Sequence, residues 1–176
     1  MKIIVGITGA SGVIYGVRLV EELKKTNNEI FVVISKNAKK IAKYENVKLP
    51  EETFSEDEVD APIASGSFLA DCMIVCPCSV KTLSAIANGY ADNLITRTAD
   101  VMIKEKRKLI LVLRETPLSA IHLKNALKLS ILGVQIMPAS PAFYHNPKNL
   151  DELINFFIGK ILDQIGIEND LYRRWG

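Results

Sequence analysis

Apolar residues in this chain come in short unbroken runs, and each run gives way to a stretch whose apolar positions recur at helical spacing. Residues 2–8 form such a run, rich in β-branched side chains. It ends in Gly9-Ala10-Ser11-Gly12, after which Val13, Val17, Val20 and Leu23 hold one helical face as far as Lys25. This reads as strand, tight loop, helix. Residues 30–34 predict a second strand and 36–44 a short helix with Ala38, Ile41 and Ala42 on one face. The alternation continues with a strand at 73–76 and a helix at 79–87, then a strand at 109–113 and a helix at 118–132. A short fifth strand at 134–136 and a closing helix at 150–165 complete it. Strands that are apolar throughout are covered on both faces, because a face meeting water would show polar residues at alternate positions. The expected fold is α/β, a three-layer, doubly wound, Rossmann-like (flavodoxin-like) domain with a mainly parallel sheet.

Its 176 residues fit one such domain, 1–176. Residues 166–176 are expected to be a C-terminal tail that docks on the domain or on a neighbouring subunit, and the single tryptophan, Trp175, lies in it. Two stretches break the rhythm. Residues 48–67 are irregular and acidic, with Glu51, Glu52, Glu56, Asp57, Glu58 and Asp60, and read as a solvated surface connection without chemistry. Residues 137–147 hold Pro138, Pro141 and Pro147 beside Tyr144 and His145, more proline than a simple connector needs, and read as a structured site loop.

Composition narrows the classes. With 48% hydrophobic and 24% charged residues the chain is neither disordered nor collagen-like. Lys plus Arg less Asp plus Glu is 22 − 20 = +2, too mild to indicate a nucleic-acid partner, so any anion site must be local. No run approaches the ~18 apolar residues of a membrane span, and the opening residues are too short for a secretory h-region. A soluble, cytoplasmic protein is expected. Cys72, Cys76 and Cys78 are the only cysteines, too few and too crowded for a disulfide framework, which favours a reducing compartment. They lack paired metal-ligand spacing, and His122 and His145 are remote in sequence, so no metal site is expected and no Cys–His nucleophile has local support.

Ligands of open α/β sheets bind beyond the carboxyl ends of the strands, so the residues just after each predicted strand carry the candidate chemistry. In order these are Gly9, Ala10, Ser11 and Gly12; Ser35; Pro77, Ser79 and Thr82; Arg114 and Glu115; and Ser140 and Tyr144. Small residues admit a ligand to the backbone, hydroxyls donate neutrally, and helix N-termini favour anions, which together suit a phosphate. Each piece alone has a plainer reading. The Gly9–Gly12 turn has neither G-x-G-x-x-G spacing nor a Walker lysine, Ser79 equally suits a helix cap, and Arg97, Lys104, Arg114 and Lys160 taken singly read as solvated cations. Arg97 and Lys104 are seven apart and share a face if 97–106 is helical.

Several motifs, in order, resemble the UbiX-type flavin prenyltransferases. They are Ile7-Thr8-Gly9-Ala10-Ser11-Gly12, Cys76-Pro77-Cys78-Ser79-Val80-Lys81-Thr82-Leu83, Gly89-Tyr90-Ala91-Asp92-Asn93-Leu94, Arg97-Thr98-Ala99-Asp100-Val101 and Arg114-Glu115-Thr116-Pro117-Leu118. Met137-Pro138-Ala139-Ser140-Pro141-Ala142-Phe143-Tyr144-His145 continues the likeness, which runs from residue 2 to about 175. The resemblance implies an enzyme that joins a dimethylallyl group from dimethylallyl phosphate to N5 and C6 of reduced FMN, without a metal, making prenylated FMN for UbiD-type decarboxylases. By motif it implies flavin contacts at Gly9, Ala10, Ser11, Ser35, Ser79, Val80, Lys81, Thr82 and Arg114. It implies prenyl-phosphate contacts at Arg97, Lys104, Tyr144 and Lys160, and catalytic positions at Glu45, Arg114 and Glu115. Lys160 stands where many relatives have arginine, which keeps the charge and loses the bidentate fork. A homo-oligomer, typically a dodecamer, with sites where subunits meet is implied as well.

The residue types agree with that chemistry. A phosphate leaving as a dianion must be stabilised, which cations and a phenol can do, and the second bond, to flavin C6, releases a proton to a base such as Glu115 or the retained phosphate. A phosphopantothenoylcysteine-type decarboxylase would need a histidine after strand two and an asparagine signature after strand three; 36–44 has no histidine and 77–82 no asparagine. A non-catalytic flavin carrier in a decarboxylase complex would be free to lose the prenyl-phosphate positions, and all four are present.

Overall fold

A computed structural model describes residues 1–174; Trp175 of the expected tail lies outside the described residues. The chain divides into two compact units, Met1–Pro138 and a second that begins at Ala139.

In the first unit six strands, β1 (Lys2–Ile7), β2 (Glu29–Ile34), β3 (Phe54–Ser55), β4 (Cys72–Cys78), β5 (Lys108–Leu113) and β6 (Gln135–Pro138), form one sheet in the order β3-β2-β1-β4-β5-β6. Every pairing is parallel. The helices between them are α1 (Val13–Lys24), α2 (Lys36–Tyr44), α3 (Val80–Ala87), α4 (Leu94–Lys104) and α5 (Ala120–Ile131). The order reverses at β1, between β2 and β4, and such a switch point opens a crevice at the carboxyl ends.

Alternation along the strands explains both layers of cover. Ile4, Met73, Val75, Leu109 and Leu111 face one way and join Leu83 and Ile86 of α3, Leu94, Ile95 and Met102 of α4 and Leu129 of α5 in one buried cluster. Ile3, Val5, Ile7, Ile74, Cys76, Ile110 and Val112, one residue out of step, are equally buried. There α1 lies so close that a Cβ on Gly16 would stand 2.2 Å from the Cys76 carbonyl oxygen. Only glycine permits that approach. Each fully buried aliphatic contributes about 1.5–3 kcal/mol.

The acidic stretch 48–67 departs from its expected character as a solvated connection. It contributes the edge strand β3 and a 3-10 turn at Pro62–Ala64, and it buries Ile63, Ala64 and the side chain of Glu56. A strand of two residues is too short to show a period, and the surrounding carboxylates mask it. The helix on which the pairing of Arg97 with Lys104 depends is α4, and it includes both.

In the second unit α6 (Leu150–Gln164) starts at Asn149, whose side chain accepts the Glu152 N–H at 2.9 Å. Tyr144, His145 and Tyr172 gather round Phe156: His145 stacks on it at 4.7 Å between centroids, and the two tyrosines meet it edge-on at 5.6 and 4.8 Å. The tail returns along α6. Asp163 accepts hydrogen bonds from Tyr172 Oη (2.7 Å), Asn169 Nδ2 (2.9 Å) and Arg174 Nη2 (2.8 Å). Arg174 above all holds the Asp163 carboxyl down at about 2, whereas burial and the Asp163 hydrogen bond push the Tyr172 phenol up to about 12.

Candidate active site

Beyond the carboxyl ends of β1, β2, β3, β4 and β5 the first unit has a cleft of about 710 Å³. That lies within the ~300–1,000 Å³ typical of small-molecule and cofactor sites. Gly9, Ala10 and Ser11 line it after β1, Ser35 after β2, Ser79, Val80, Lys81 and Thr82 after β4, and Arg114 and Glu115 after β5. All the residues expected to contact flavin thus share one cavity.

Local hydrogen bonding shapes this edge. Thr8 Oγ1 donates to the Pro77 carbonyl (2.8 Å) and accepts the Ser79 N–H (2.9 Å), tying the β1 loop to the start of α3. Ser35 donates its N–H to Ile7 (2.9 Å), and its Oγ accepts the Ala38 N–H at 3.0 Å, capping α2. Ser79 caps α3 in the same way through Thr82. A Cβ on Gly9 would come within 2.5 Å of Asn37 Cβ, so the β1 loop passes against α2 only as glycine.

Charges are distributed unevenly. Arg114 enters the cleft with its Nε buried and without a hydrogen-bond partner among the described residues. A buried donor left unpaired costs about 1–3 kcal/mol, which a ligand oxygen removes. The residues present therefore fit an anionic, flavin-sized group such as FMN. Glu115 lines the cleft beside Arg114 and accepts the Thr116 N–H at 2.9 Å. Lys81 pairs with Asp92 at 3.0 Å. Burial alone would raise the Asp92 carboxyl, and Lys81 outweighs it, holding the group below its ordinary value.

Glu45 has a different position. Its carboxylate accepts the Gly12 N–H (2.7 Å) and the Val13 N–H (3.0 Å), filling the start of α1, where Gly12 has no side chain to cap the helix. Glu45 is not among the cleft-lining residues.

Arg97 and Lys104 lie two turns apart on α4, paired with Asp100 (3.5 Å) and Glu105 (2.6 Å), and neither lines the cleft. Tyr144 and Lys160 belong to the second unit, where Tyr144 touches Phe156 and Lys160 comes four residues after Phe156, one turn along the same face of α6. The expected prenyl-phosphate residues therefore form two pairs, one in each unit. Burial pushes the thiols of Cys72, Cys76 and Cys78 up, Cys72 to about 11 and Cys78 to about 12, as expected for cysteines packed in a central strand.

A family model described as Flavoprotein matches residues 1–162. Over its whole length the chain is 53% identical to the flavin prenyltransferase UbiX of Methanocaldococcus jannaschii, covering 99% of that protein. The chain belongs to the UbiX family of flavin prenyltransferases. Among solved UbiX structures, AnUbiX (PadA1) in complex with FMN and dimethylallyl pyrophosphate superposes with a TM-score of 0.96 at 43% identity, covering 99% of this chain and 97% of that one. A dodecameric FMN-dependent UbiX-like decarboxylase from Escherichia coli O157:H7 superposes with a TM-score of 0.94 at 45% identity, with full coverage of both chains.

Among the positions of this UbiX-family chain, sequence reasoning passed over Thr8, Glu56 and Asp92, all of which line the cleft. Thr8 and Asp92 fall inside family-like motifs and were within reach. Glu56 had no local signal, since it stands in a run of acids and its partners lie in α2 and α4.

Proposed function

We propose that this protein joins the dimethylallyl group of dimethylallyl phosphate to N5 and C6 of reduced FMN, giving prenylated FMN for a UbiD-type decarboxylase. The observation that carries the reading is the meeting of Gly9-Ala10-Ser11, Ser35, the Ser79–Thr82 helix start and the unpaired Arg114 Nε in one cleft of a UbiX-family chain. Reduced FMN, when bound, supplies a nucleophilic N5. The protein's part is to hold it, to receive the departing phosphate and to manage protons.

For the flavin phosphate the chain offers the free amide donors at the start of α3, the hydroxyls of Ser35, Ser79 and Thr82, and Arg114. The start of α1 is already neutralised by Glu45, which in this reading keeps the Gly9–Gly12 loop in shape. Arg97, Lys104, Tyr144 and Lys160 receive the prenyl phosphate. Arg97 and Lys104 come from a neighbouring subunit, which fits their absence from the lining of the cleft in their own chain. Four donors on a leaving dianion stabilise the charge that develops as the carbon–oxygen bond breaks. Glu115 accepts the proton released from C6 on ring closure, directly or through the retained phosphate, and orients Arg114. The assembly is a homo-oligomer working in the cytoplasm; no helix among the described residues is long and apolar enough to cross a membrane.

Inorganic-phosphate release tests the reading. Mixed anaerobically with dimethylallyl phosphate and reduced FMN, the protein should release one phosphate per flavin, and none with either compound alone. Absence of release with both present contradicts it.

A further inference from the structure

We infer that Glu56 is a positioning residue for the flavin-phosphate end of the cleft, acting through Ser35 by clamping the first turn of α2. The inference rests on the proposed function, in which Ser35 faces the FMN phosphate.

Strand register brings the two residues together. β3 pairs with β2 through Val33 with Phe54 and Ile34 with Ser55, so the next step beyond the sheet sets Ser35 beside Glu56. Glu56 is only 9% exposed although it stands in an acidic run. Its Oε1 accepts the N–H of Lys36, the first residue of α2, while Ser35 Oγ accepts the Ala38 N–H two residues further on. Its carbonyl accepts the N–H of Leu94, the first residue of α4, at 2.8 Å. One residue thus secures the starts of two helices, and side chains from both segments line the cleft.

The two caps have a consequence for the ligand. With the Lys36 and Ala38 amides taken, the backbone of the first turn of α2 keeps the Asn37 N–H for a phosphate, and its cap keeps the Ser35 hydroxyl hydrogen. Their direction depends on the first turn staying where Glu56 holds it. The geometry calls for an acceptor at Lys36 N rather than for a charge, and a second negative group near a phosphate is in itself unfavourable. Glutamine keeps the acceptor, aspartate withdraws it by one methylene, and alanine removes it.

Flavin-fluorescence titration of the parent, Glu56→Gln, Glu56→Asp and Glu56→Ala with FMN and with riboflavin, which has the same ring and no phosphate, tests this. Glu56→Ala should raise the Kd for FMN about five- to tenfold and move riboflavin by less than about twofold, since one hydrogen bond to a positioning element is lost. Glu56→Asp should show the same FMN-selective loss in smaller measure, and so serves if the alanine variant does not fold. Glu56→Gln should stay close to the parent with both ligands. In a Ser35→Ala background, Glu56→Ala should add nothing further. The inference is overturned if FMN and riboflavin weaken together, if neither weakens, if glutamine fails as alanine does, or if the Ser35 and Glu56 effects simply add. A parent that binds no FMN would remove the functional reading as well, whereas a parent that binds FMN and releases phosphate beside unaffected variants would remove only this inference.

Discussion

Replacing Glu45 with alanine removes both acceptors from the start of α1. The Gly12 and Val13 amides then have no partner in the fold, because Gly12, at φ +85°, has no side chain to stand in. Losing an ordinary helix cap costs about 0.5–2 kcal/mol, and a bond to a charged acceptor contributes about 1.5–3 kcal/mol. Glu45 is partly buried and makes two such bonds to adjacent amides, which are not additive. The expected loss is about 2 kcal/mol. For a chain of this length that lowers Tm by roughly 4–8 °C. Circular-dichroism melts of the flavin-free protein would measure it, with Glu45→Gln falling between parent and alanine because an amide has only one acceptor oxygen. FMN affinity should fall alongside, as the Gly9–Gly12 loop loses its anchor. If Tm stays within about 1 °C of the parent while prenylation collapses, Glu45 is not acting as a cap, and the catalytic role implied by the family motif replaces the one argued from its hydrogen bonds.

Gly9→Ala sets a Cβ 2.5 Å from Asn37 Cβ, and the overpacking should cost about 1–3 kcal/mol in a thermal melt and weaken FMN binding; an unchanged Tm would show that the loop yields freely. Lys160→Ala should raise KM for dimethylallyl phosphate roughly tenfold or more with FMN still bound, and loss of FMN with KM unchanged would reassign that lysine. Glu115→Gln should keep FMN affinity and slow ring closure, so that single-turnover mass spectrometry finds singly alkylated flavin accumulating; a rate within about twofold of the parent would take Glu115 off the catalytic roster. Asp163 has a folded-state pKa of about 2, below its ordinary 3.8, so its contribution to stability is complete above the ordinary value and is lost as pH falls toward 2. The Tm gap between the parent and Asp163→Asn should therefore close over that window, and a gap independent of pH would contradict the ion pair with Arg174.

The parts of the fold readable from sequence are those whose partners are near in the chain. β1, the Gly9–Gly12 turn and α1 declare themselves through an apolar run, a glycine and a 3.6-residue period, and Ser35 and Ser79 stand where helix caps belong. The same residues line the cleft because parallel strands place every such junction on one edge. Contacts made at a distance were not readable. Glu45 reaches the start of α1 from 33 residues away, and Glu56 becomes a buried acceptor only because β3 joins the sheet next to β2. Composition treats Glu56 as a surface carboxylate, and Glu45 stands out only through its match to the family, which does not give its hydrogen-bond partners. Likewise the spacing of Arg97 and Lys104 gives a shared helical face but does not say which cavity that face serves.

Mass spectrometry of the flavin after anaerobic incubation with dimethylallyl phosphate tests the proposed activity most directly. Reduced FMN should be recovered heavier by one isoprene unit, carrying the new carbon at both N5 and C6, in an amount that rises with the protein concentration. Recovery of unmodified FMN, from protein shown to bind both compounds, would contradict it.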